Sequence, residues 1–241
     1  MLYLMGIGLG DEKNLTLLEI EIARGCECFA ELYTSKWAGS LVELEKIIGK
    51  KITFLRRADA EGKISELLEL ASKKDVAIFF PGDPLAATTH AEFLIEARRK
   101  KIPYRVLHNS SIFSAVAETG LQLYKFGKTA TIPFSGKFEN VKNILKENKK
   151  IGGHTLLLLD LDAEAGLYMS AADAVKILLK EKILKPADKI IAAGNLGSEN
   201  SEIVFSSAKT LIERKIPTPA VLVIPGKLHF REMDFLETLK I

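Results

Sequence analysis

The sequence VAIFFPGDPLAATTH, residues 76–90, predicts a buried β-strand, a rigid loop and the start of a helix. The apolar run 76–80 is too short for a helix and is rich in strand-forming residues. The loop is stiff because prolines fix the φ angle on both sides of Gly82 and Asp83, and Thr89-x-x-Glu92 predicts a capping box that begins the helix. A stiff loop that presents a carboxylate after a strand indicates a ligand site at the carboxyl edge of an α/β sheet. The alternative is a tight turn in which Asp83 only orders its own backbone.

The segments on either side of this stretch repeat the same alternation. Up to Leu107 we predict five strands alternating with four helices, which is typical of a mostly parallel sheet covered on both faces. Beyond this point the spacing is less regular and predicts a second α/β domain with a mixed sheet. We therefore expect two α/β domains, 1–108 and 109–241, with a ligand cleft between them.

Composition excludes several classes of protein. The net charge of +3 and the 47% hydrophobic and 27% charged residues are ordinary for a globular chain, and a dedicated nucleic-acid binder would be more basic. The chain has neither an apolar run long enough to cross a bilayer nor a basic segment at its start of the kind found in signal peptides. We expect a cytoplasmic protein that binds neither nucleic acid nor membrane.

Cysteine and histidine spacings give no support for a metal site. Cys26 and Cys28 are the two cysteines, and two thiolates do not complete a tetrahedral zinc site, so we interpret them as buried thiols. The four histidines, at positions 90, 108, 154 and 229, are scattered without ligand spacing. We assign no metal.

The glycine-rich loop after the first strand leaves two functions open. Gly6-x-Gly8-x-Gly10 resembles part of a dinucleotide fingerprint, but Asp11 occupies the position of the last glycine. Glu31, at the end of the second predicted strand, stands where a ribose-binding acid would be, so a nicotinamide-dependent oxidoreductase is one alternative. A non-catalytic binding module is another. However, the later loops after strands combine glycine, proline and small polar residues, and such loops suit a neutral or cationic cofactor better than a pyrophosphate.

A further set of motifs, distributed in order over nearly the whole chain, resembles the diphthine synthase family. The matching segments are GIGLGD (6–11), YTS (33–35), PGDPL (81–85), ATTHA (87–91), HNSSI (108–112), YKFGK (124–128), HTLL (154–157) and VIPGKLH (223–229). This family is grouped with tetrapyrrole-methylase-like enzymes, which bind S-adenosylmethionine (SAM) between two α/β domains. The resemblance implies a SAM-dependent methyltransferase whose protein substrate is translation elongation factor 2. The methylated group would be the amine of its 3-carboxypropyl-modified histidine, carried in successive transfers to trimethylated diphthine.

The resemblance also implies specific site residues and an assembly. Residues similar to the family's cofactor contacts are Leu9, Asp83, Ala86, Ser111, Ile112, Leu159, Leu196 and Ala220. We expect Asp83 to hold the ribose hydroxyls or amino group of SAM rather than to transfer a proton, and we expect a homodimer. The catalytic residues are not identified, and His90 and His229 are the first candidates for a general base.

Overall fold

The computed structural model describes residues 1–56 and 64–239, and the chain divides into two compact units, Met1–Phe113 and Ser114–Ile241. The domain boundary that the sequence predicts, after residue 108, stays a prediction. No helix within the described parts of the chain has the length and apolar character needed to span a membrane.

The first unit alternates strands and helices as predicted. Its elements are β1 (Leu2–Gly6), α1 (Leu17–Gly25), β2 (Glu27–Glu31), α2 (Leu41–Ile48), β3 (Ile52–Leu55), α3 (Ile64–Lys73), β4 (Val76–Phe80), α4 (Ala91–Arg99) and β5 (Tyr104–Leu107). The strands form one sheet in the order β3-β2-β4-β1-β5, and all pairings between them are parallel. The predicted parallel sheet is therefore confirmed, and the loops after β1, β4 and β5 meet at its carboxyl edge.

The central strand β4 explains why residues 76–80 are apolar throughout. All five residues are buried, because helices cover both faces of a parallel sheet. Phe79 belongs to a core cluster that includes Leu44 of α2, whereas the neighbouring Phe80 ring lies 6.1 Å from the Phe93 ring of α4. Burial of each such side chain contributes about 1.5–3 kcal/mol, so β4 stabilises the sheet and fixes the position of the loop that follows it.

The second unit contains a mixed sheet, as predicted. A short helix, α5 (Ile112–Ala115), spans the division between the units. The later elements are β6 (Ala130–Ile132), α6 (Glu139–Ile151), β7 (Thr155–Leu159), β8 (Leu161–Asp162), β9 (Leu167–Tyr168), α7 (Ala171–Lys180), β10 (Lys189–Gly194), β11 (Glu202–Ser207), α8 (Ala208–Leu211), β12 (Ala220–Ile224) and α9 (Phe230–Thr238). The five-stranded sheet has the order β11-β10-β12-β7-β6, in which β6 and β7 are parallel and the other pairs are antiparallel. The small hairpin of β8 and β9 is not predicted by the sequence.

The Ser/Thr-x-x-Glu pattern begins two helices of the first unit but fails at the helix for which we predict it. Thr16 and Glu19 form a capping box at α1, and Ser40 caps α2. At α4, however, the N-cap is His90, which makes no side-chain capping bond. The Thr89-x-x-Glu92 pattern therefore does not form the capping box of α4, and the prediction is wrong at this helix.

The two cysteines are buried and free, as interpreted from their spacing. Burial raises the pKa of both Cys26 and Cys28 to about 11, so neither thiol is reactive at neutral pH. Among residues 1–56 and 64–239, no three His, Cys, Asp or Glu side chains gather as a metal site would require.

Candidate functional site

The loops after β1 and β4 are joined by two backbone hydrogen bonds between glycines. The Gly8 N–H donates to the Gly82 carbonyl at 3.1 Å, and the Gly82 N–H donates to the Gly8 carbonyl at 2.8 Å. Both residues have a φ of +70°, which favours glycine. A Cβ at Gly6 would lie 2.5 Å from the Gly82 carbonyl oxygen. The glycines therefore allow the two loops to approach each other closely.

Asp83 lies in the loop after β4, where 13% of its side chain is exposed. Its Oδ1 accepts the Leu85 N–H at 2.9 Å. Its Oδ2 accepts the Asn109 N–H at 3.3 Å and lies 2.7 Å from His108 Nδ1. Because a carboxylate can accept about four hydrogen bonds, one position remains, on Oδ1. Asp83 therefore orders its own loop, as in the tight-turn alternative, and still has room for one hydrogen bond from a ligand.

Five of the predicted site residues lie at this carboxyl edge of the first sheet. A Cβ built on Gly82 would lie 3.9 Å from Leu9 Cδ2 and 4.0 Å from the Ser111 Cα. The Ala86 N–H donates to the Asp83 carbonyl at 3.2 Å. The residues of this edge are Leu9, Asp83, Ala86, Ser111 and Ile112. Their role as cofactor contacts stays a prediction.

Asn109 is a residue of this edge whose role the sequence does not reveal. Its Nδ2 donates to the Gly6 carbonyl at 2.9 Å and to the Asn14 carbonyl at 3.0 Å. Its Oδ1 accepts the Ser110 N–H at 2.7 Å. Asn109 thereby connects the loop after β5 to the glycine loop after β1. The HNSSI motif contains this residue, but nothing in its composition indicates which carbonyls the amide would bind.

A buried glutamate–histidine pair contacts the loop after β4. Glu31 is fully buried, and its Oε1 accepts the N–H groups of Tyr33 at 2.8 Å and Thr34 at 3.1 Å. His90 Nε2 lies 2.8 Å from Glu31 Oε2, but the angle between the two groups does not fit a hydrogen bond. His90 Nδ1 lies 2.9 Å from the Pro84 carbonyl oxygen. Glu31 is therefore inaccessible to a ribose, and His90, which is only 6% exposed, is unsuited to act as a base on a bound substrate.

The three predicted site residues of the second unit also lie close together. β12 pairs antiparallel with both β7 and β10, so its first residue lies beside the last residues of those strands. Ala220 begins β12, Leu159 ends β7, and Leu196 lies in the loop after β10. The Asn195 N–H in that loop donates to the Pro219 carbonyl at 2.9 Å. These three residues thus share one edge of the second sheet, and their contact with a cofactor stays a prediction.

Glu232 forms a polar cluster inside the second unit. Its carboxylate, 1% exposed, accepts the N–H groups of Gln122 at 2.9 Å and His229 at 2.7 Å. It also contacts His154 Nε2 at 3.0 Å and the Lys125 ammonium. Burial on its own would raise the pKa of Glu232, but these hydrogen bonds outweigh it and lower the pKa to about 2. Through these contacts the start of α9 is connected to the segment before β7 and to residues 122–125.

The family comparison and the curated relatives agree with each other. The sequence model of the family described as Tetrapyrrole (Corrin/Porphyrin) Methylases matches residues 1–212. A diphthine synthase of Methanocaldococcus jannaschii is 40% identical, over 99% of this chain and 98% of that protein. A diphthine synthase of Methanococcus vannielii is 38% identical with the same coverage of both proteins.

A solved structure is similar over the full length of the chain. A crystal structure of a diphthine synthase superimposes with a TM-score of 0.92 at 34% sequence identity. The match covers 100% of this chain and 96% of that one. The likeness therefore includes both units and both groups of predicted site residues.

Proposed function

The chain belongs to the diphthine synthase family of tetrapyrrole methylases, and from this we propose that it methylates translation elongation factor 2. The proposed donor is SAM, and the acceptor is the amine on the 3-carboxypropyl arm of a modified histidine, methylated successively to the trimethylated product. The observation that carries the proposal is the nearly full-length match to diphthine synthases. Since translation is cytoplasmic, the proposed substrate also implies a cytoplasmic location.

The residues at the carboxyl edge of the first sheet fit a cofactor of this kind. SAM has hydroxyl and amino donors and a positively charged sulfonium, and the edge offers the one remaining acceptor position on Asp83. Leu9 and Ile112 add apolar surface at the same edge. We propose that these residues hold the donor, because a carboxylate accepts hydrogen bonds and attracts positive charge.

When bound, SAM supplies a methyl group that its sulfonium charge already activates. The protein is therefore needed chiefly to bring the amine into line with the methyl carbon and the sulfur, and such positioning is a large source of rate acceleration. The hydrogen bonds of Asn109 to the Gly6 and Asn14 carbonyls would hold the edge loops rigid during this step. The same rigidity would allow a partly methylated amine to re-enter an unchanged site.

The nicotinamide alternative is not supported. Glu31, its proposed ribose ligand, is fully buried and bound by backbone N–H groups. The N–H groups of Gly8 and Gly82 donate to each other's carbonyls, so they are not available to a pyrophosphate. A dinucleotide site would need those donors at the glycine loop.

Methyl transfer to isolated elongation factor 2 tests the proposal directly. The factor, carrying the 3-carboxypropyl histidine, is incubated with the enzyme and SAM, and mass spectrometry of the histidine peptide follows the added methyl groups. We expect successive methylation that ends when the amine carries no hydrogen. A factor that lacks the modification is the control, and no methylation of the modified factor would contradict the proposal.

Ligand-dependent thermal unfolding separates the donor from the rejected alternative. A ligand present at 100 times its dissociation constant stabilises the folded state by about 2.7 kcal/mol. SAM and S-adenosylhomocysteine should raise the melting temperature, whereas NAD should not. A rise with NAD alone would support the oxidoreductase instead. Light scattering, which measures the molar mass in solution, tests whether the protein is a homodimer.

A further inference from the structure

His108 combines exposure with a close contact to a carboxylate at the edge that we propose to hold SAM. The residue follows β5 directly, and 67% of its side chain is exposed. Its Nδ1 lies 2.7 Å from Asp83 Oδ2. Its Nε2 has no hydrogen-bond partner among residues 1–56 and 64–239. One ring nitrogen is therefore held by a carboxylate, and the other is open to a ligand.

This arrangement has a defined chemical consequence. The Asp83 carboxylate accepts hydrogen bonds, so the neutral ring of His108 carries its hydrogen on Nδ1 and has its lone pair on Nε2. In other carboxylate–histidine pairs that act as bases, the carboxylate likewise orients the ring so that its second nitrogen can take up a proton. Histidines change protonation state near neutral pH, which suits them to this role.

Two of the other histidines, His90 and His154, have both ring nitrogens in contact with other groups. His90 is buried, with its two ring nitrogens against Glu31 and the Pro84 carbonyl. His154 is fully buried, its Nδ1 accepts the Gly226 N–H at 2.9 Å, and burial lowers its pKa.

His229, the second candidate suggested by the sequence, caps a helix in the second unit. It is the N-cap residue of α9, and its Nδ1 accepts the Arg231 N–H at 3.3 Å. Its Nε2 is open like that of His108, but within residues 1–56 and 64–239 no carboxylate contacts its ring as Asp83 contacts His108, so its geometry favours a capping role.

We infer that His108 is the general base of the methyl transfer, with Asp83 as the group that orients its ring; this inference rests on the proposed function. The substrate amine is protonated at neutral pH and has no lone pair to offer. His108 Nε2 takes one proton from the ammonium, and the freed nitrogen lone pair forms a bond to the methyl carbon. The carbon–sulfur bond breaks, and its electron pair remains on the sulfur as a neutral thioether. His108 then releases the proton to solvent, so each transfer yields one methylated ammonium, one thioether and one proton.

The test compares His108→Asn with the wild-type enzyme. Asparagine keeps an N–H donor for Asp83 but has no basic nitrogen. We expect unchanged SAM affinity by calorimetry and a kcat for methyl transfer at pH 7 lowered on the order of 10²-fold, the lower end of general-base effects. The rate of the variant should rise with pH as solvent deprotonates the amine. In His108→Ala, added imidazole should restore part of the lost rate. The matched control is His229→Asn, which should keep the wild-type kcat and pH profile.

Other results of this test would contradict either the inference or the proposed function. A wild-type kcat in His108→Asn, or its loss in His229→Asn instead, would overturn the inference while leaving the proposed function intact. Absence of methyl transfer by the wild-type enzyme would overturn the proposed function and the inference with it.

Nitrogen NMR of the ligand-free enzyme gives a readout independent of activity, with the His108 signals identified by comparison with His108→Asn. The neutral ring should carry its hydrogen on Nδ1, and a hydrogen on Nε2 would overturn the inference.

Discussion

At the scale of single residues, the Asp83 carboxylate has one acceptor position left after its three contacts with Leu85, His108 and Asn109. If SAM uses that position, Asp83→Ala removes a charge-assisted hydrogen bond worth about 1.5–3 kcal/mol. We therefore expect SAM affinity to fall by about ten- to a hundredfold, measured by titration calorimetry. The control is Asp75→Ala, which changes an aspartate before the other end of β4. Wild-type affinity in Asp83→Ala would remove Asp83 from the cofactor site.

Glu232 provides a prediction about acid stability. Its pKa in the folded protein, about 2, lies below the ordinary value of 4.5. The carboxylate therefore stabilises the fold fully above pH 4.5, and this contribution is lost as the pH falls towards 2. In Glu232→Gln the free energy of unfolding at pH 7 should fall by about 3 kcal/mol, because His154 and Lys125 lose their buried charged partner. Urea unfolding at several pH values should also show a weaker decline below pH 4.5 than in the wild type.

The matched control for this experiment is Glu21→Gln, which changes an exposed glutamate of α1. A surface change of this kind should alter the free energy of unfolding by no more than about 0.5 kcal/mol. Equal stability of Glu232→Gln and the wild type at pH 7 would contradict the structural role of the polar cluster.

At the scale of elements, two helix starts with the same sequence pattern behave differently. The Thr16 hydroxyl accepts the Glu19 N–H at 3.2 Å and donates to Glu19 Oε2 at 2.8 Å, whereas Thr89 does not cap α4. Thr16→Ala should lower the free energy of unfolding by about 1–2 kcal/mol. Thr89→Ala is the same substitution without a cap to lose, and it should change stability by less than about 0.5 kcal/mol. Chemical unfolding of both variants is the measurement, and equal losses would contradict this account of α4.

The same pair of helices illustrates which parts of the fold are predictable from sequence. The apolar strands, the Thr16 cap and the parallel character of the first sheet follow from local patterns, because periodicity, capping and the alternation of strands with helices depend on neighbours in the chain. The start of α4 does not, since its N-cap is His90, whose ring contacts Glu31, a residue far away in the sequence. The short hairpin of β8 and β9 is equally unpredictable, since two-residue strands carry too little pattern.

The candidate site likewise has parts that the sequence predicts and parts that it does not. The sequence indicates that Asp83 stands on a rigid loop, and the family resemblance adds the residues around it. Neither indicates that His108 and Asn109 would reach the Asp83 carboxylate, because the β4 and β5 loops come together only through the order of strands in the sheet. Contacts between loops depend on the order of the strands in the sheet, and no local motif predicts that order.

At the scale of the whole molecule, the chain consists of two units that each possess a five-stranded sheet and a separate hydrophobic core. The predicted site residues fall into two groups, one at an edge of each sheet. The first group contains the one carboxylate of the set, Asp83, and the exposed His108 lies beside it. The groups can therefore differ in function, with polar recognition and proton transfer in the first unit and apolar contact in the second.

Hydrogen exchange with and without SAM tests this division of function across the chain. At 100 times its dissociation constant, SAM stabilises the state that binds it by about 2.7 kcal/mol, so amides at its contacts should exchange more slowly. We expect slower exchange in the loops after β1, β4 and β5 and around Leu159, Leu196 and Ala220. The polar cluster around Glu232 should be affected less, because it lies at the opposite edge of the second sheet. Protection limited to the first unit would contradict the predicted contacts at Leu159, Leu196 and Ala220, while leaving those at Leu9 and Asp83 in place.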